Sequence, residues 1–172
     1  MTGYYQKLNS PLGSIHIATD GEFLRVLAIG HNWARLKTGL GEVVEQPHPL
    51  LSQAAQQLDE YFSHRRSHFD LPLYFCGTDF QKLAWNALLT VPYGETRSYA
   101  QQAALIGNPK AVRAIGRANG LNPISIIVPC HRIIGKSGKL TGYASGLGDK
   151  SHLLELERRF RASHPATTSP PQ

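Results

Sequence analysis

The feature that most constrains this chain is a run rich in β-branched apolar residues, residues 124–128, followed by Pro129-Cys130-His131. Such a run between turn residues predicts a short buried strand. Pro129 fixes its own backbone and biases Val128 towards an extended conformation, so Cys130 has a defined position. A cysteine beside a titratable ring is a candidate nucleophile, but many buried cysteines are inert, and both interpretations stay open at this point.

Length and composition predict a globular protein with one large or two small domains. The 172 residues are 41% hydrophobic and 17% charged, and no apolar run approaches the ~20 residues of a membrane span. The first residues do not resemble a secretory signal. Two cysteines, Cys76 and Cys130, do not make a disulfide framework and suit a reducing cytoplasm. The net charge of +6 is compatible with a nucleic acid partner but does not require one.

The first part of the chain has the pattern of a small antiparallel sheet with a helix. We predict strands at residues 4–8, 14–19 and 23–29, with a hairpin at Asp20-Gly21, and an edge strand at residues 69–75. Apolar residues at helical spacing predict a helix over residues 51–62. Cys76 has no CxxC partner and is interpreted as a structural residue.

Beyond residues 76–79 the pattern becomes helical, which predicts a domain boundary there. Thr78 or Asp79 can cap a helix with one apolar face. Two shorter helices follow, one over residues 98–106 and one from an N-cap at Asn108 to about residue 119. Their glycine-containing connection is a helix-turn-helix signature of modest specificity.

The second helix of this pair has three different faces. Val112 and Ile115 are predicted to face inward. A basic stripe and a stripe of small residues complete the helix: Lys110, Arg113 and Arg117, and Ala111, Ala114 and Ala118. An ordinary solvated helix would look similar, but the agreement of turn and helix chemistry favours contact with a DNA backbone.

A glycine-rich loop over residues 135–148 lacks the first glycine of a P-loop, so we interpret it as a pocket wall for a flat ligand. The last helix, capped by Asp149, places Glu157 on the same stripe as Leu153. A buried carboxylate needs a partner, and His131 is the obvious candidate. The polar, proline-rich residues 163–172 are predicted to be disordered.

Together these motifs resemble the O6-alkylguanine-DNA alkyltransferases, or methylated-DNA–protein-cysteine methyltransferases, over residues 1 to about 160. The resemblance rests on residues 94–99, 109–116, 119–123, 129–133 and 141–144. It implies an α+β fold. Residues 1–75 would form an N-terminal α/β domain with a small antiparallel, ribonuclease-H-like sheet, and residues 76–162 a mostly helical domain with the helix-turn-helix. The tail, residues 163–172, would follow it.

The resemblance also implies a function, which is the direct reversal of DNA damage. The second helix of the motif would bind the minor groove of double-stranded DNA. O6-alkylguanine, with O4-alkylthymine as a second candidate, would be flipped out and would lose its alkyl group irreversibly to Cys130, once per molecule. We expect a cytoplasmic monomer without cofactor, metal or membrane partner, and the sequence leaves open whether it binds DNA cooperatively. The zinc site that eukaryotic members can carry has no matching Cys/His cluster here.

Residue roles carry over from the family in the same way. His131 would act through a water as the base for Cys130, Glu157 would orient His131, and Asn122 would brace the thiol segment. Arg113 would fill the gap left by the flipped base, Tyr99 would contact the backbone there, and the pocket would include Tyr143, Ala144 and Ser145. The expected DNA contacts are Lys110, Ala111, Ala114 and Arg117.

One position departs from the family pattern, since Ser145-Gly146 stands where paired glycines are usual. The added side chain is expected to narrow the pocket, so that bulky benzyl adducts react poorly compared with methyl adducts.

Three other functions would each account for part of this pattern. An alkyltransferase-like protein that only flags damaged DNA would lack the acceptor cysteine. A cysteine hydrolase would leave the basic helix-turn-helix unexplained. A transcription factor would leave Cys130 and His131 without a role.

Overall fold

The computed structural model describes residues 2–163, and this part of the chain divides into two compact units. The first contains the chain up to Cys76 together with Pro123–Ile127, and the second contains Gly77–Asn122 together with the chain from Val128 onwards. The sequence-based division left Pro123–Ile127 in the C-terminal domain, so the structure differs there. Of the predicted disordered tail, Ser163 is the last helical residue, and residues 164–172 lie outside the described residues.

The first unit is built on a four-stranded sheet. Its strands are β1 (Gly3–Ser10), β2 (Gly13–Thr19), β3 (Leu24–Ile29) and β4 (Val43–Glu45), in the order β3-β2-β1-β4. The antiparallel pairing of the first three strands confirms the prediction. The short strand β4 pairs parallel to β1, which the sequence pattern did not predict. The sheet is therefore mixed rather than purely antiparallel.

Two helices accompany this sheet, α1 (Asn32–Lys37) and α2 (Pro49–Phe62). Helix α2 confirms the predicted helix and buries Leu51, Ala54 and Leu58. The predicted strand over residues 69–75 is wrong, because only an isolated bridge between Leu24 and Leu73 forms there. The side chain of Gln57 explains part of this difference. It bonds both the backbone N–H of Asp70 (2.9 Å) and its carbonyl (3.0 Å), so a side chain satisfies groups that a sheet partner would otherwise take.

The apolar run that ends at Pro129 does not form the predicted strand. Leu27 donates to the carbonyl of Pro123 at 2.9 Å, and Ser125 donates to that of Leu27 at 3.1 Å. The chain then turns at Ile126, whose φ of 71° lies in the left-handed region. Burial was nevertheless predicted correctly, since the residues of this run are buried. Periodicity detected the burial of the segment but not its backbone conformation.

The second unit is mostly helical. It contains α3 (Asp79–Leu88), α4 (Tyr99–Leu105), α5 (Val112–Gly120) and α6 (Leu147–Ser163), with a short parallel pair, β5 (Arg97–Ser98) and β6 (Ile133–Ile134). Capping boxes begin two of these helices, Thr78 with Gln81 at α3 and Ser98 with Gln101 at α4. Each box stabilises the first turn of its helix, and both helices begin within about one residue of the predicted start.

Helices α4 and α5 form the helix-turn-helix around a small core of Ala84, Ala103, Ile115 and Ala118. The start of α5 corrects the prediction. Asn108 is not its N-cap, because Ala111 donates to the carbonyl of Asn108 in a separate turn and α5 begins only at Val112. Val112 is 39% exposed and does not face inward.

Cys76 is exposed, so it is not part of a packed core. Within residues 2–163, no helix combines the length and apolar character that crossing a bilayer requires.

Two glycines with the same backbone conformation provide a matched stability test. Gly94 has a φ of 77° and Gly107 a φ of 76°. A Cβ at Gly94 would lie 2.7 Å from Cδ of Arg161, whereas no atom lies within 4 Å of one at Gly107. We expect Gly107→Ala to lower the free energy of unfolding by about 1 kcal/mol through backbone strain alone. Gly94→Ala should lower it by about 1 kcal/mol more through overpacking. Denaturant unfolding measures both, and equal losses would contradict the second part.

Candidate active site

Cys130 lies in a single turn of 3-10 helix, Cys130–Arg132, between Pro129 and β6. Cys130 donates its N–H to the carbonyl of Val128 at 2.8 Å, and Arg132 donates to Pro129 at 3.0 Å. The thiol residue is 7% exposed and His131 is fully buried. The turn therefore holds the sulfur and the imidazole in fixed, nearly water-free positions.

Asn122 connects the end of α5 to the thiol. Its Nδ2 donates to the carbonyl of Val128 at 2.8 Å and to Sγ of Cys130 at 3.2 Å. A donor directed at sulfur favours the thiolate over the thiol. The expected position of Asn122 beside the thiol is thus seen in the structure.

The buried carboxylate of Glu157 on α6 contacts the imidazole of His131, as the position of Glu157 on the helix suggested. Glu157 is 1% exposed, and its Oε2 lies 2.7 Å from Nε2 of His131. Because a carboxylate can only accept, His131 donates from Nε2, which leaves its Nδ1 as an acceptor. Nδ1 is buried and has no hydrogen-bond partner among the described residues.

Arg132 is a member of this cluster that sequence reasoning missed. Its Nε donates to Oε1 of Glu157 at 2.8 Å and its Nη2 to Oε2 at 3.0 Å, a bidentate ion pair. Its Nη1 donates to the carbonyl of Val91 at 2.8 Å. Gly94 adds a backbone N–H to Oε1 of Glu157 at 3.3 Å. A cation directly after the histidine was the available signal, since a buried carboxylate needs more than one donor.

The charges of the cluster follow from these contacts. Burial raises the pKa of Cys130 above its usual value, although the Asn122 bond opposes this effect. Burial also lowers the pKa of His131, although Glu157 opposes the shift. Burial alone would raise the pKa of Glu157, but His131 and Arg132 together hold it well below the usual range. We therefore assign a neutral thiol, a neutral imidazole and a Glu157 carboxylate that accepts from both His131 and Arg132.

Lys150 on α6 is a second buried cation that the sequence did not indicate. It is fully buried, and its Nζ donates to the carbonyls of Ile133 and Thr141, both at 2.6 Å, and of Gly142 at 3.3 Å. Burial lowers its pKa, and the nearby Cys130 opposes that shift. Lys150 thus joins β6 to the glycine-rich loop and places positive charge near the thiol.

The glycine-rich loop also contacts the predicted nucleotide-binding residues. The hydroxyl of Tyr99 donates to the carbonyl of Thr141 at 3.1 Å and accepts from the Thr141 hydroxyl at 3.0 Å. Tyr143 and Ala144 are partly buried. The Ser145 hydroxyl is buried and has no hydrogen-bond partner among the described residues.

The predicted DNA-contacting residues of α5 and its preceding turn share an exposed face. Lys110, Arg113, Ala114 and Arg117 are exposed and Ala111 is partly buried, whereas Ala118 faces the core at 2% exposure. Arg113 and Arg117 border a cavity of about 310 Å³ beside the start of α3. Within residues 2–163, no cluster of three or more His, Cys, Asp or Glu side chains could hold a metal ion.

Two family models match this chain. The DNA binding domain of 6-O-methylguanine DNA methyltransferase matches residues 79–159. The ribonuclease-like domain of the same proteins matches residues 3–75.

Individual relatives agree with the family models. The methylated-DNA–protein-cysteine methyltransferase of Methanosarcina acetivorans is 48% identical over 154 residues, which cover 90% of this chain and 97% of the relative. The constitutive enzyme of that name from Bacillus subtilis is 45% identical and covers 90% and 95%. Mycobacterium tuberculosis OGT, solved in complex with DNA, superimposes with a TM-score of 0.85 at 47% identity, covering 91% of this chain and 94% of that one.

The bond from Asn122 to the thiol predicts a measurable change in reactivity. In a Cys76→Ser background, iodoacetamide reports on Cys130 alone. Because burial raises its pKa, the alkylation rate should keep rising above the pH at which an ordinary cysteine levels off. Asn122→Ala removes a donor that favours the thiolate and should lower the rate at pH 8 at least about threefold. Asn86→Ala, an exposed asparagine of α3, is the control. Identical profiles for Asn122→Ala and its parent would refute the assignment.

Proposed function

This chain belongs to the 6-O-methylguanine DNA methyltransferase family, and we propose that Cys130 is the residue with which it carries out that activity. It is a DNA-repair alkyltransferase, a methylated-DNA–protein-cysteine methyltransferase that moves an alkyl group from a DNA base to its own cysteine. The observation that carries the assignment is the pair of buried hydrogen bonds at the turn that contains the thiol, from Asn122 to Sγ of Cys130 and from His131 to Glu157. Cys76, by contrast, is exposed.

In the proposed first step, a water relays the thiol proton of Cys130 to Nδ1 of His131. The support is the tautomer: Nε2 donates to Glu157, so Nδ1 is the acceptor, and it is buried without a protein partner among the described residues. The imidazolium that forms lies against a carboxylate, which stabilises it. Asn122 and the charge of Lys150 stabilise the thiolate at the same moment.

Arg132 changes the role of Glu157 in this step. A lone buried acid would favour a permanently protonated histidine and therefore a preformed thiolate. Burial is the largest cause that lowers the pKa of His131, and the Arg132 guanidinium beside the carboxylate lowers it further, so His131 stays neutral until the proton arrives. His131 would therefore act as a general base, and the thiolate–imidazolium ion pair would not exist before the reaction.

The thiolate then attacks the sp³ carbon attached to O6 of the base. A carbon–sulfur bond forms as the carbon–oxygen bond breaks, and the electron pair leaves with O6. The guanine anion takes up one proton, so the proton lost by the thiol is balanced. Donors of the 141–145 loop would stabilise charge on the leaving oxygen, and the buried Ser145 hydroxyl is one candidate. The thioether product has no easy leaving group, which accounts for a single turnover.

The alkylated base must leave the duplex to reach a buried sulfur, at a cost of a few kcal/mol that is smaller for a damaged pair. We assign Arg113 to the gap left by the base and Tyr99 to the backbone at that nucleotide. Lys110, Ala111, Ala114 and Arg117 would contact the DNA in the minor groove. These DNA contacts are supported by the exposed face that α5 and its preceding turn share, because this face is basic and carries small side chains. Tyr143, Ala144 and Ser145 would line the pocket for O6-alkylguanine or O4-alkylthymine.

The remaining assignments concern the protein as a whole. We assign residues 1–75 to a supporting domain and residues 76–162 to DNA binding and alkyl transfer. A monomer suffices, because one chain supplies Cys130, His131 and Glu157 with their hydrogen bonds. A thiol that must stay reduced fits a cytoplasmic location.

Intact-protein mass spectrometry after incubation with an O6-methylguanine duplex tests the acceptor. We expect a mass gain of one methylene unit, located by peptide mapping on Cys130, at one group per molecule. Cys130→Ser should abolish the gain, and Cys76→Ser should leave it unchanged. Methylation of Cys76, or release of product over many turnovers, would refute the proposal.

Ser145 provides a test of adduct size. Its side chain adds volume at a position where a glycine would leave the pocket wider. Ser145→Gly should therefore raise the ratio of the single-turnover rates for benzyl and methyl adducts about tenfold, by removing an overpacking penalty. Equal ratios in the parent and the variant would show that Ser145 does not restrict the pocket.

A further inference from the structure

The helix-turn-helix contains a pair of buried amide side chains that the proposed reaction does not use. Gln102 on α4 is fully buried, and Asn119 near the end of α5 is 7% exposed. Nε2 of Gln102 donates to Oδ1 of Asn119 at 2.9 Å. Nδ2 of Asn119 donates back to Oε1 of Gln102 at 2.8 Å. The two bonds form a closed, reciprocal bridge between the two helices of the motif.

The bridge is also attached to the third helix of this core. Nε2 of Gln102 donates to the carbonyl of Ala84 on α3 at 3.1 Å. Around it, the buried residues are small or aliphatic: Ala84, Ala103, Ile115 and Ala118. Small apolar contacts resist sliding and rotation of helices weakly, whereas hydrogen bonds weaken steeply when they are misaligned. The amide pair is therefore a directional contact between α4 and α5, and the bond from Nε1 of Trp85 to the carbonyl of Ala118 at 2.8 Å is a second buried hydrogen bond to α5, from α3.

The two helices carry the groups assigned to the flipped nucleotide. Tyr99 is the first residue of α4, and Arg113 lies in the first turn of α5. Asn119 also precedes the turn that leads to the thiol, since its carbonyl accepts from the N–H of Asn122 at 3.2 Å. The pair is thus placed to control the spacing of Tyr99 and Arg113.

We propose that the Gln102–Asn119 amide bridge positions Arg113 relative to Tyr99 for extrusion of the damaged nucleotide. This proposal rests on the proposed function, because it concerns the same DNA site. Gln102 and Asn119 are positioning residues, since both side chains are buried and their hydrogen bonds are made within the protein. Their effect would appear with duplex DNA and not with a free base, which needs only the pocket and the thiol.

The main variant is the apolar pair Gln102→Leu with Asn119→Leu. Replacing both partners of a buried hydrogen bond by apolar groups of similar size changes stability little, but it removes the directional contact. Two single-turnover rates are measured below the unfolding temperature, one with an O6-methylguanine duplex and one with free O6-methylguanine. We expect the rate with the duplex to fall at least about tenfold. The rate with the free base should stay within about twofold of the parent.

An equal fall in both rates would overturn the proposal, because it would indicate a general effect on fold or thiol. No fall in either rate would overturn it as well. Failure of the parent protein to accept a methyl group from either substrate would instead contradict the proposed function. Measuring both substrates with the parent protein therefore distinguishes a failure of the positioning proposal from a failure of the proposed function.

The exchanged pair Gln102→Asn with Asn119→Gln keeps an amide on each helix and conserves the summed side-chain length. We expect its rate with the duplex to stay within about threefold of the parent. If the apolar pair does not fold, as judged by circular dichroism, this variant decides the question. A folded exchanged pair with a selective loss of the duplex reaction would overturn the proposal. If neither variant folds, the proposal is also overturned, because the amide bridge would then contribute only to stability.

Discussion

The buried ion pair between Glu157 and Arg132 is the interaction on which the candidate active site depends. Glu157 accepts from Arg132 twice, from His131 and from the backbone of Gly94, so each carboxylate oxygen has donors. A buried charge is tolerated only when it is satisfied in this way. The pair joins α6 to the turn that contains the thiol, and the hydrogen bond between His131 and Glu157 determines which nitrogen of the imidazole carries the proton.

Burial determines the resting charge of the site, and Arg132 assists it at His131. With the carboxylate balanced, burial dominates at His131 and Cys130, and both stay neutral. A neutral, buried thiol reacts slowly with electrophiles in solution. Such protection suits a residue that reacts once and is not regenerated, because a stray modification would inactivate the protein permanently. Activation then follows the arrival of a substrate that fits the pocket.

The fold was predicted best where the signals are local. Three strands and the helix α2 follow from alternation, helical spacing and the Asp20-Gly21 hairpin, and helices α3 and α4 begin close to their predicted starts. Predictions failed where a distant or unusual contact overrides the local pattern. Gln57 satisfies the backbone at Asp70, and Ile126 adopts a positive φ within an apolar run. The start of α5 was also placed too early, because Asn108 and Pro109 form a separate turn.

The sequence by itself determined the chemistry available to this protein: a cysteine next to a histidine, an acid on the buried stripe of the last helix and a basic helix with small residues. These features are visible because they depend on neighbouring residues or on helical spacing. Only the tertiary structure decided how polar side chains pair in the interior. Arg132 meets Glu157 across 25 residues, and Gln102 meets Asn119 across 17. No periodicity marks such pairs, since a buried polar residue looks like a surface residue until the fold brings its partner within hydrogen-bond distance.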